Sequence, residues 1–321
     1  MSYSITILGA GVMGNAIGTR LLEMGQTLTV YDLDTAKAEF LGEKGARVAK
    51  SGGAAAAEAD VVILSLNNAT VVEASVFGDD GIAAGARKGA LIIDMSSIDP
   101  NATKALAGRA KESGLRWVDS PLSGGAPKAA TGELTLMLGG EDADIADARA
   151  VLQHVATSTE HLGPVGAGQA TKLINQVLCG VGFLAVAEAT QLAVDAGLDP
   201  HKVPGALKGG RADSAILQEY MPRFADKDYR REGRIDNMVK DLNGVQELAR
   251  ATNTAMPLTS LCADIHRMLT TAGLGEEDQA VLMEFFKGPD KERFGYKFVA
   301  SSHRIPRREG DSPTTFKNLF A

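Results

Sequence analysis

Gly9-Ala10-Gly11-Val12-Met13-Gly14 follows a short apolar run at residues 4–8 and opens a stretch of helical periodicity that ends at Gly25. A GxGxxG sequence is informative in this position, after a strand and at the start of a helix. Its glycines permit a tight turn, and backbone N–H groups at the helix N-terminus can approach a pyrophosphate. The motif can also be a purely structural turn. Its context favours a dinucleotide site formed by Gly9, Ala10, Gly11, Val12, Met13 and Gly14.

An acidic residue, Asp32, comes directly after the second predicted strand, eighteen residues beyond Gly14. A carboxylate at this position can accept hydrogen bonds from the adenosine ribose hydroxyls. The same carboxylate would repel a 2′-phosphate. The sequence therefore predicts NAD as the cofactor, with NADP less favoured.

The first 160 residues alternate short β-branched runs with helical stretches, which is typical of a parallel, doubly wound sheet built from βαβ units. The predicted strands are residues 4–8, 27–31, 61–66, 91–95, 116–119 and 134–138. Beyond Pro164 the strands end, and the predicted helices are residues 188–196, 202–207, 236–251, 258–272 and 278–286. The fold class is thus α/β, with a helical second half.

A lysine and two amides interrupt an oily helix in the stretch Ala170-Thr171-Lys172-Leu173-Ile174-Asn175-Gln176. Residues 167–194 are apolar on nearly all sides, Ile174 and Leu178 included, which predicts a helix buried through the protein centre. Burial could lower the pKa of Lys172 toward the working range and make it a general acid and base for a hydroxyl or carbonyl. The alternative is a helix-end lysine whose ammonium reaches water.

A second loop, Asp119-Ser120-Pro121-Leu122-Ser123-Gly124-Gly125, follows the strand predicted at residues 116–119. The serine hydroxyl and the bare backbone donors of the two glycines suit a carboxylate or a developing oxyanion. Ser-Gly-Gly is often only a turn. This one lies at the carboxyl end of a sheet strand, where ligands bind in open α/β folds.

The composition of the chain restricts the classes of protein to which it can belong. It has 321 residues, 45% hydrophobic and 23% charged, so two domains are expected, and the net charge of −7 argues against a nucleic-acid partner. Cys179 and Cys262 are the only cysteines and no Cys/His cluster occurs, so no disulfide framework or metal site is predicted. The lack of a signal peptide and of an uninterrupted apolar span predicts a cytoplasmic protein without a membrane partner.

Four motifs resemble the signatures of the β-hydroxyacid dehydrogenase family in order and spacing. They are GAGVMG from Gly9, DSPLSGG from Asp119, GAGQATKLINQ from Gly166, and Lys240-Asp241-Leu242. The resemblance covers roughly residues 4–290. Within the family, Asn175-Gln176, Pro127-Lys128-Ala129 and Arg234-Ile235-Asp236 look most similar to the tartronate semialdehyde reductases (2-hydroxy-3-oxopropionate reductases).

The resemblance implies an N-terminal Rossmann domain and an all-α C-terminal domain joined by a long interdomain helix, with the active site between them. The implied boundaries are 1–164 for the NAD-binding domain, 165–196 for the interdomain helix, 197–300 for the substrate and oligomerisation domain, and 301–321 for a C-terminal extension. The family has no assignable counterpart of that extension, which we interpret as a surface extension or a subunit-contact arm. Helical domains of the family commonly associate, so a homodimer or homotetramer is expected.

The resemblance also implies the roles of individual residues. Lys172 would be the catalytic lysine. The substrate-binding residues would be Ser123, Gly124, Gly125, Asn175 and Lys240, and the dinucleotide would also contact Leu66, Asn67, Ser97 and Lys240. Asn67 departs from the family, which usually has proline there, so this loop is expected to be more mobile or differently bonded. For Lys240 the alternative is an exposed ion pair. Arg223, Arg230, Arg231 and Arg234 are expected to be solvated.

The favoured function is the NAD-dependent reduction of a short semialdehyde of the 2-hydroxy-3-oxopropionate type, and the reverse oxidation, on a small carboxylate-bearing substrate. A dehydrogenase of 3-hydroxyisobutyrate or another 3-hydroxy acid is the alternative. Imine reduction on the same architecture would replace the lysine by another proton donor, so Lys172 argues against it. A non-catalytic dinucleotide-binding protein would be expected to lose the lysine or the Ser-Gly-Gly loop, and both are intact.

Overall fold

The structure, a computed structural model, describes residues 3–287. The predicted extension at 301–321 lies outside the described residues, as does the end of the predicted helical domain at 288–300. The described chain forms a sheet with helices in its first half and helices alone after residue 164. The predicted α/β fold is therefore confirmed.

One sheet forms the N-terminal half. Its strands are β1 (Ile5–Leu8), β2 (Leu28–Tyr31), β3 (Arg47–Val48), β4 (Val61–Leu64), β5 (Leu91–Asp94), β6 (Arg116–Asp119), β7 (Leu122–Ser123), β8 (Leu134–Gly139) and β9 (Ala156–Gly163). They lie in the order β3-β2-β1-β4-β5-β6-β8-β7, with β9 beside β8. The pairs from β3 to β6 are parallel. β1, β4 and β5 are buried throughout, which explains their nearly continuous apolar sequences.

The far edge of the sheet departs from the predicted parallel arrangement, because β8 runs antiparallel to β6 and β7. Only residues 124–133 connect β7 to β8, and a parallel crossover needs about a dozen residues or more. β3, β7 and β9 are absent from the sequence prediction. The first two have two residues each, and β9 contains few apolar residues.

Helices cover both faces of the sheet. They are α1 (Val12–Glu23), α2 (Thr35–Gly42), α3 (Gly52–Ala56), α4 (Ala69–Phe77), α5 (Ile82–Gly85), α6 (Pro100–Glu112), α7 (Gly125–Thr131) and α8 (Asp142–Leu152). α1, α2, α7 and α8 share one apolar core with the sheet, while α3 to α6 form the second core on its other face. This is the doubly wound arrangement.

The second half is built on the 29-residue helix α9 (Ala167–Asp195). The other helices are α10 (Val203–Leu207), α11 (Ala215–Asp226), α12 (Ile235–Thr252), α13 (Pro257–Leu269) and α14 (Met283–Lys287). Their shared core includes Val186, Leu217, Ile235, Ile265 and Met283. The sequence prediction missed α11, although Ser214 caps it through a hydrogen bond from Leu217 N.

One face of α9 is exposed, so the prediction that this helix is buried on all sides was wrong. Ile174 is 59% exposed, and Leu178 and Leu192 are each 70% exposed. The reason is that α11, α12 and α13 pack against the opposite side of the helix. Among the described helices, α9 alone is long and apolar enough to cross a membrane by length and composition, and 28% of its most apolar window is buried.

Arg223 on α11 is buried, so the expectation that it is solvated was wrong. Its side chain is 7% exposed and its Nη2 donates to Asp278 Oδ1 at 3.0 Å. The guanidinium also lies over the Tyr220 ring, 4.5 Å from the centroid. Asp278 accepts three further bonds, from Glu232 N at 2.7 Å, Gly233 N at 2.9 Å and Ala280 N at 3.0 Å. This ion pair ties α11 to the segment that precedes α12.

Replacement of Arg223 by methionine is expected to lower the free energy of unfolding by about 3–5 kcal/mol, because the buried Asp278 carboxylate would lose its cation. Urea unfolding followed by circular dichroism measures this. Arg230→Met is the control, since the Arg230 side chain is 77% exposed. A loss below about 1 kcal/mol for Arg223→Met would contradict the assignment of a buried ion pair.

Candidate active site

Four loops lie side by side at the carboxyl edge of the sheet, because β1, β4, β5 and β6 are parallel neighbours in register. The GxGxxG turn follows β1, Leu66-Asn67 follows β4, Ser97 follows β5, and the Ser-Gly-Gly loop follows β6. The strand order reverses between β1 and β4, and such a switch point is where open α/β sheets bind dinucleotides.

The GxGxxG turn has the geometry of a phosphate cradle. Gly9 has φ +97°, and a Cβ on Gly14 would lie 1.8 Å from the Gly9 carbonyl oxygen, so both positions require glycine. Gly11 has open space around it, and Val12, the first residue of α1, is 79% exposed. The unpaired N–H groups of this first helical turn are available to an anion.

Asp32 is joined to the same turn. Its Oδ2 accepts a hydrogen bond from Ala10 N at 2.7 Å, and its Oδ1 accepts one from Asp34 N at 2.8 Å. Ala10 N–H is therefore occupied and holds the turn to β2. Each carboxylate oxygen keeps a further lone pair for a ribose hydroxyl. These residues fit a bound NAD.

The start of α9 is fixed to the sheet by Asp119 at the end of β6. Gly166 N donates to Asp119 Oδ1 at 2.7 Å and Gln169 N donates to Asp119 Oδ2 at 2.9 Å. Gly166 has no side chain to cap the helix, so the strand supplies the cap. Asp119 is fully buried, and burial raises the pKa of its carboxyl.

A second buried carboxyl, Asp94, lies next to Asp119 at the end of β5. Asp94 Oδ1 accepts a hydrogen bond from Ser96 N at 3.0 Å, and no described residue bonds Oδ2. Burial raises the pKa of Asp94 to about 7.

A cavity of about 270 Å³ lies between the loop after β5, α9 and α12. Three of the residues singled out in the sequence, Ser97, Lys172 and Lys240, line it together. Burial lowers the pKa of Lys172, while the nearby Asp241 carboxylate opposes that shift and Lys240 adds to it. Lys172 is thus partly desolvated on the wall of the cavity, and this burial makes its ammonium form less favourable than it is in water.

Lys240 bridges the two sides of this cavity. Its Nζ donates to Ser97 O at 3.1 Å and lies 3.3 Å from Asp241 Oδ1. Asp241 Oδ2 in turn accepts a hydrogen bond from Gln176 Nε2 on α9 at 2.7 Å. The lysine therefore forms the ion pair considered as its alternative, and it also contacts the loop expected to hold the cofactor.

The other sequence-predicted residues do not line this cavity. Asn175 Nδ2 donates to Gln176 Oε1 at 2.8 Å. Gly124 and Gly125 adopt φ +120° and +67°, a left-handed backbone that favours glycine, where the chain turns from Ser123 into α7. Asn67 is exposed in the loop after β4, and Leu66 N donates to Ser96 Oγ at 3.1 Å.

Several residues on the cavity were missed by sequence reasoning. They are Asn68, Gln169, Asp241, Asn243 and Glu247. A helical-face argument would have found most of them, because Gln169 precedes Lys172 by three residues, and Asn243 and Glu247 follow Lys240 by three and seven. Among the described residues, no group of three or more His, Cys, Asp or Glu side chains could hold a metal ion.

Comparison with known proteins agrees with this geometry. Residues 4–163 match the NAD binding domain of 6-phosphogluconate dehydrogenase, and residues 166–286 match the family described as NAD-binding of NADP-dependent 3-hydroxyisobutyrate dehydrogenase.

Individual relatives match over nearly the whole chain. The 2-(hydroxymethyl)glutarate dehydrogenase of Eubacterium barkeri is 31% identical over 89% of this chain and 95% of its own. The L-threonate dehydrogenase of Cupriavidus necator is 33% identical over 90% and 97%. A structure of Mycobacterium tuberculosis 3-hydroxyisobutyrate dehydrogenase with L-serine has a TM-score of 0.81 and 30% identity, covering 89% of this chain and 100% of that chain. The chain therefore belongs to the 3-hydroxyisobutyrate dehydrogenase-like family of β-hydroxyacid dehydrogenases, and it is an NAD-dependent oxidoreductase of hydroxy acids.

Proposed function

We propose that the protein interconverts a short semialdehyde of the 2-hydroxy-3-oxopropionate type and its hydroxy acid, with Lys172 as general acid and base. The observation that carries this proposal is the position of Lys172 on a cavity beside the NAD-binding edge of the sheet, where burial lowers its pKa. In this proposal residues 1–164 bind the cofactor, 165–196 form the helix that presents the lysine, and 197–300 complete the substrate pocket.

When bound, NAD supplies the hydride acceptor or donor for the substrate carbon. In the reduction the Lys172 ammonium protonates the carbonyl oxygen, and in the oxidation its neutral amine takes the hydroxyl proton. Lys240 provides a second positive charge that can pair with the substrate carboxylate. Ser123, Gly124, Gly125 and Asn175 are proposed, from the family resemblance, to hold and orient the same substrate.

Polar side chains on the wall of the cavity favour a substrate with a second hydroxyl, at C2, over 3-hydroxyisobutyrate, which has a methyl group at that carbon. Asn68, Asn243 and Glu247 offer hydrogen-bonding groups, and a site built to bind a hydroxyl discriminates against an analogue that lacks it. The named relatives act on, or bind, different small hydroxy acids, so a substrate panel is the decisive experiment. The panel comprises tartronate semialdehyde with NADH and NADPH, and L-threonate, L-serine and 3-hydroxyisobutyrate with NAD and NADP. The highest kcat/KM for 3-hydroxyisobutyrate would refute the proposed substrate class.

Replacement of Lys172 by methionine is expected to lower kcat by roughly 10²–10⁴-fold, the usual contribution of general acid–base catalysis. NADH affinity, measured by fluorescence titration, should stay within about twofold because the lysine is not part of the nucleotide cradle. Lys111→Met, on the exposed surface of α6, is the matched control. A decrease in kcat of less than tenfold would exclude Lys172 as the general acid and base.

The two directions of the reaction should have opposite pH dependences. Oxidation requires the neutral Lys172 amine, so kcat/KM rises with pH; reduction requires the ammonium, so kcat/KM falls with pH. Burial lowers the pKa of Lys172, and both midpoints are therefore expected below its ordinary value of 10.5. Initial rates from pH 6 to 11 measure them. Midpoints at or above that value would show that Lys172 is not desolvated.

The preference for NAD is expected to depend on the charge of Asp32. Asp32→Asn keeps an oxygen to accept the Ala10 N–H bond and removes the charge that repels a 2′-phosphate. The ratio of kcat/KM with NADP to that with NAD should rise about tenfold or more in this variant. Asp34→Asn, two residues away and exposed, is the control. A wild-type protein that prefers NADP would overturn this role for Asp32.

Self-association is proposed to cover the exposed apolar face of α9, in a dimer or a tetramer of a cytoplasmic protein. Leu178 and Leu192 lie on that face, and exposed apolar patches commonly mark association sites. The polar groups of Lys172 and Gln176 on the same helix favour a protein partner over a lipid environment. Wild-type protein should therefore run as an oligomer in light scattering, and Leu178→Glu should shift it toward monomer. A monomeric wild type would contradict this.

A further inference from the structure

The side-chain amide of Gln169 holds the loop after β5 on both sides of Ser97. Gln169 Nε2 donates to Ser96 O at 2.7 Å, and Ile98 N donates to Gln169 Oε1 at 3.2 Å. Gln169 is 1% exposed, and Ser96 and Ile98 are also buried. The amide can make both bonds because it presents an N–H donor and a carbonyl acceptor side by side without carrying a charge. Without it, two buried peptide groups would lose their partners.

Gln169 is itself fixed to the sheet through its backbone. Its N–H donates to Asp119 Oδ2, and Gly166 N donates to the other carboxylate oxygen, so Asp119 caps the first turn of α9. A Cβ on Gly168 would lie 2.3 Å from Met137 O, so this turn also lies directly against β8. The helix start cannot shift relative to the strands without breaking these contacts.

The positions of two residues that line the cavity depend on these contacts of Gln169. Lys172 lies three residues after Gln169, one turn further along the same helix. Ser97 lies between the two peptide groups that Gln169 binds, and its carbonyl oxygen accepts the hydrogen bond from Lys240 Nζ at 3.1 Å. The Gln169 side chain therefore links the helix that carries the lysine directly to the loop that contains Ser97.

We propose that Gln169 is a positioning residue that sets the Lys172 amine against the cofactor-lining loop at Ser97, so that it supports both NAD binding and proton transfer. The inference rests on the roles proposed above for Lys172 and Ser97. Packing alone does not explain the residue, because a leucine would fill similar space and a buried amide is costly unless it is hydrogen-bonded.

The test compares Gln169→Glu with Gln169→Leu. A protonated glutamic acid has one O–H donor and one carbonyl acceptor and can make both bonds, whereas the ionised form is acceptor-only and faces the Ser96 carbonyl oxygen. NADH affinity of Gln169→Glu should therefore match the wild type at low pH and weaken about tenfold as the new carboxyl ionises. The NADH affinity of Gln169→Leu should be about tenfold or more weaker than that of the wild type at every pH, and its kcat should fall by a similar factor.

The measurement is the NADH dissociation constant from fluorescence titration between pH 5 and 9, expressed as the ratio of variant to wild type. Taking the ratio cancels the effect of the titratable groups around this position that the variant and the wild type share. These groups are Asp94 on β5, Asp119 on β6, Asp99 before α6, Lys172 on α9, and Lys240 and Asp241 on α12. Gln191→Glu and Gln191→Leu are matched controls, because Gln191 lies on the same helix about 33 Å away.

Three results would overturn the proposal. They are a ratio for Gln169→Glu that does not change with pH, a Gln169→Glu protein that fails to bind NADH at pH 5, and a Gln169→Leu protein within twofold of wild type in both affinity and kcat. If Gln169→Leu does not fold, the pH dependence of Gln169→Glu still decides. NADH affinity is measured without substrate, so a wrong substrate class or a Lys172→Met protein with normal turnover would leave this test intact.

Discussion

The attachment of one helix end to one carboxylate determines the architecture of this site. Asp119 is buried at the end of β6 and accepts hydrogen bonds from Gly166 N and Gln169 N in the first turn of α9. A buried carboxylate is costly unless it is hydrogen-bonded, and here the N–H groups and the positive end of a 29-residue helix stabilise it. Because Lys172 lies on the next turn, this contact fixes the height of the lysine above the carboxyl edge of the sheet.

The electrostatic environment of Lys172 balances two opposing effects. Burial and the nearby Lys240 favour the neutral amine, whereas Asp241 favours the ammonium. The carboxylate that opposes the lowering of the Lys172 pKa lies on the facing helix α12. It is held in place by a hydrogen bond from Gln176 on α9. In the proposed mechanism Lys172 acts in both protonation states, and these opposing effects act on the balance between the two forms.

Local sequence signals predicted the features that depend on local structure. The six predicted strands match β1, β2, β4, β5, β6 and β8 within about two residues, because buried parallel strands are short apolar runs between turns. The GxGxxG turn and the place of Asp32 could also be predicted, because both follow from their positions at the ends of predicted strands. The family match confirms the fold class and the oxidoreductase activity on hydroxy acids.

Features that depend on distant contacts could not be predicted in this way. Gln169 acts on residues more than 70 positions earlier in the chain, and the burial of Arg223 depends on Asp278, 55 positions later. The exposed face of α9 was missed for a different reason. Apolar periodicity shows which residues avoid water, but it does not show whether the same chain or a second copy covers them.

The most direct test of the central claim is a crystal structure of the protein with NAD and a hydroxy acid such as L-threonate. We expect Lys172 Nζ within about 3.2 Å of the hydroxyl oxygen on the carbon that faces the nicotinamide ring. A substrate bound elsewhere, with Lys172 directed into bulk water, would contradict it.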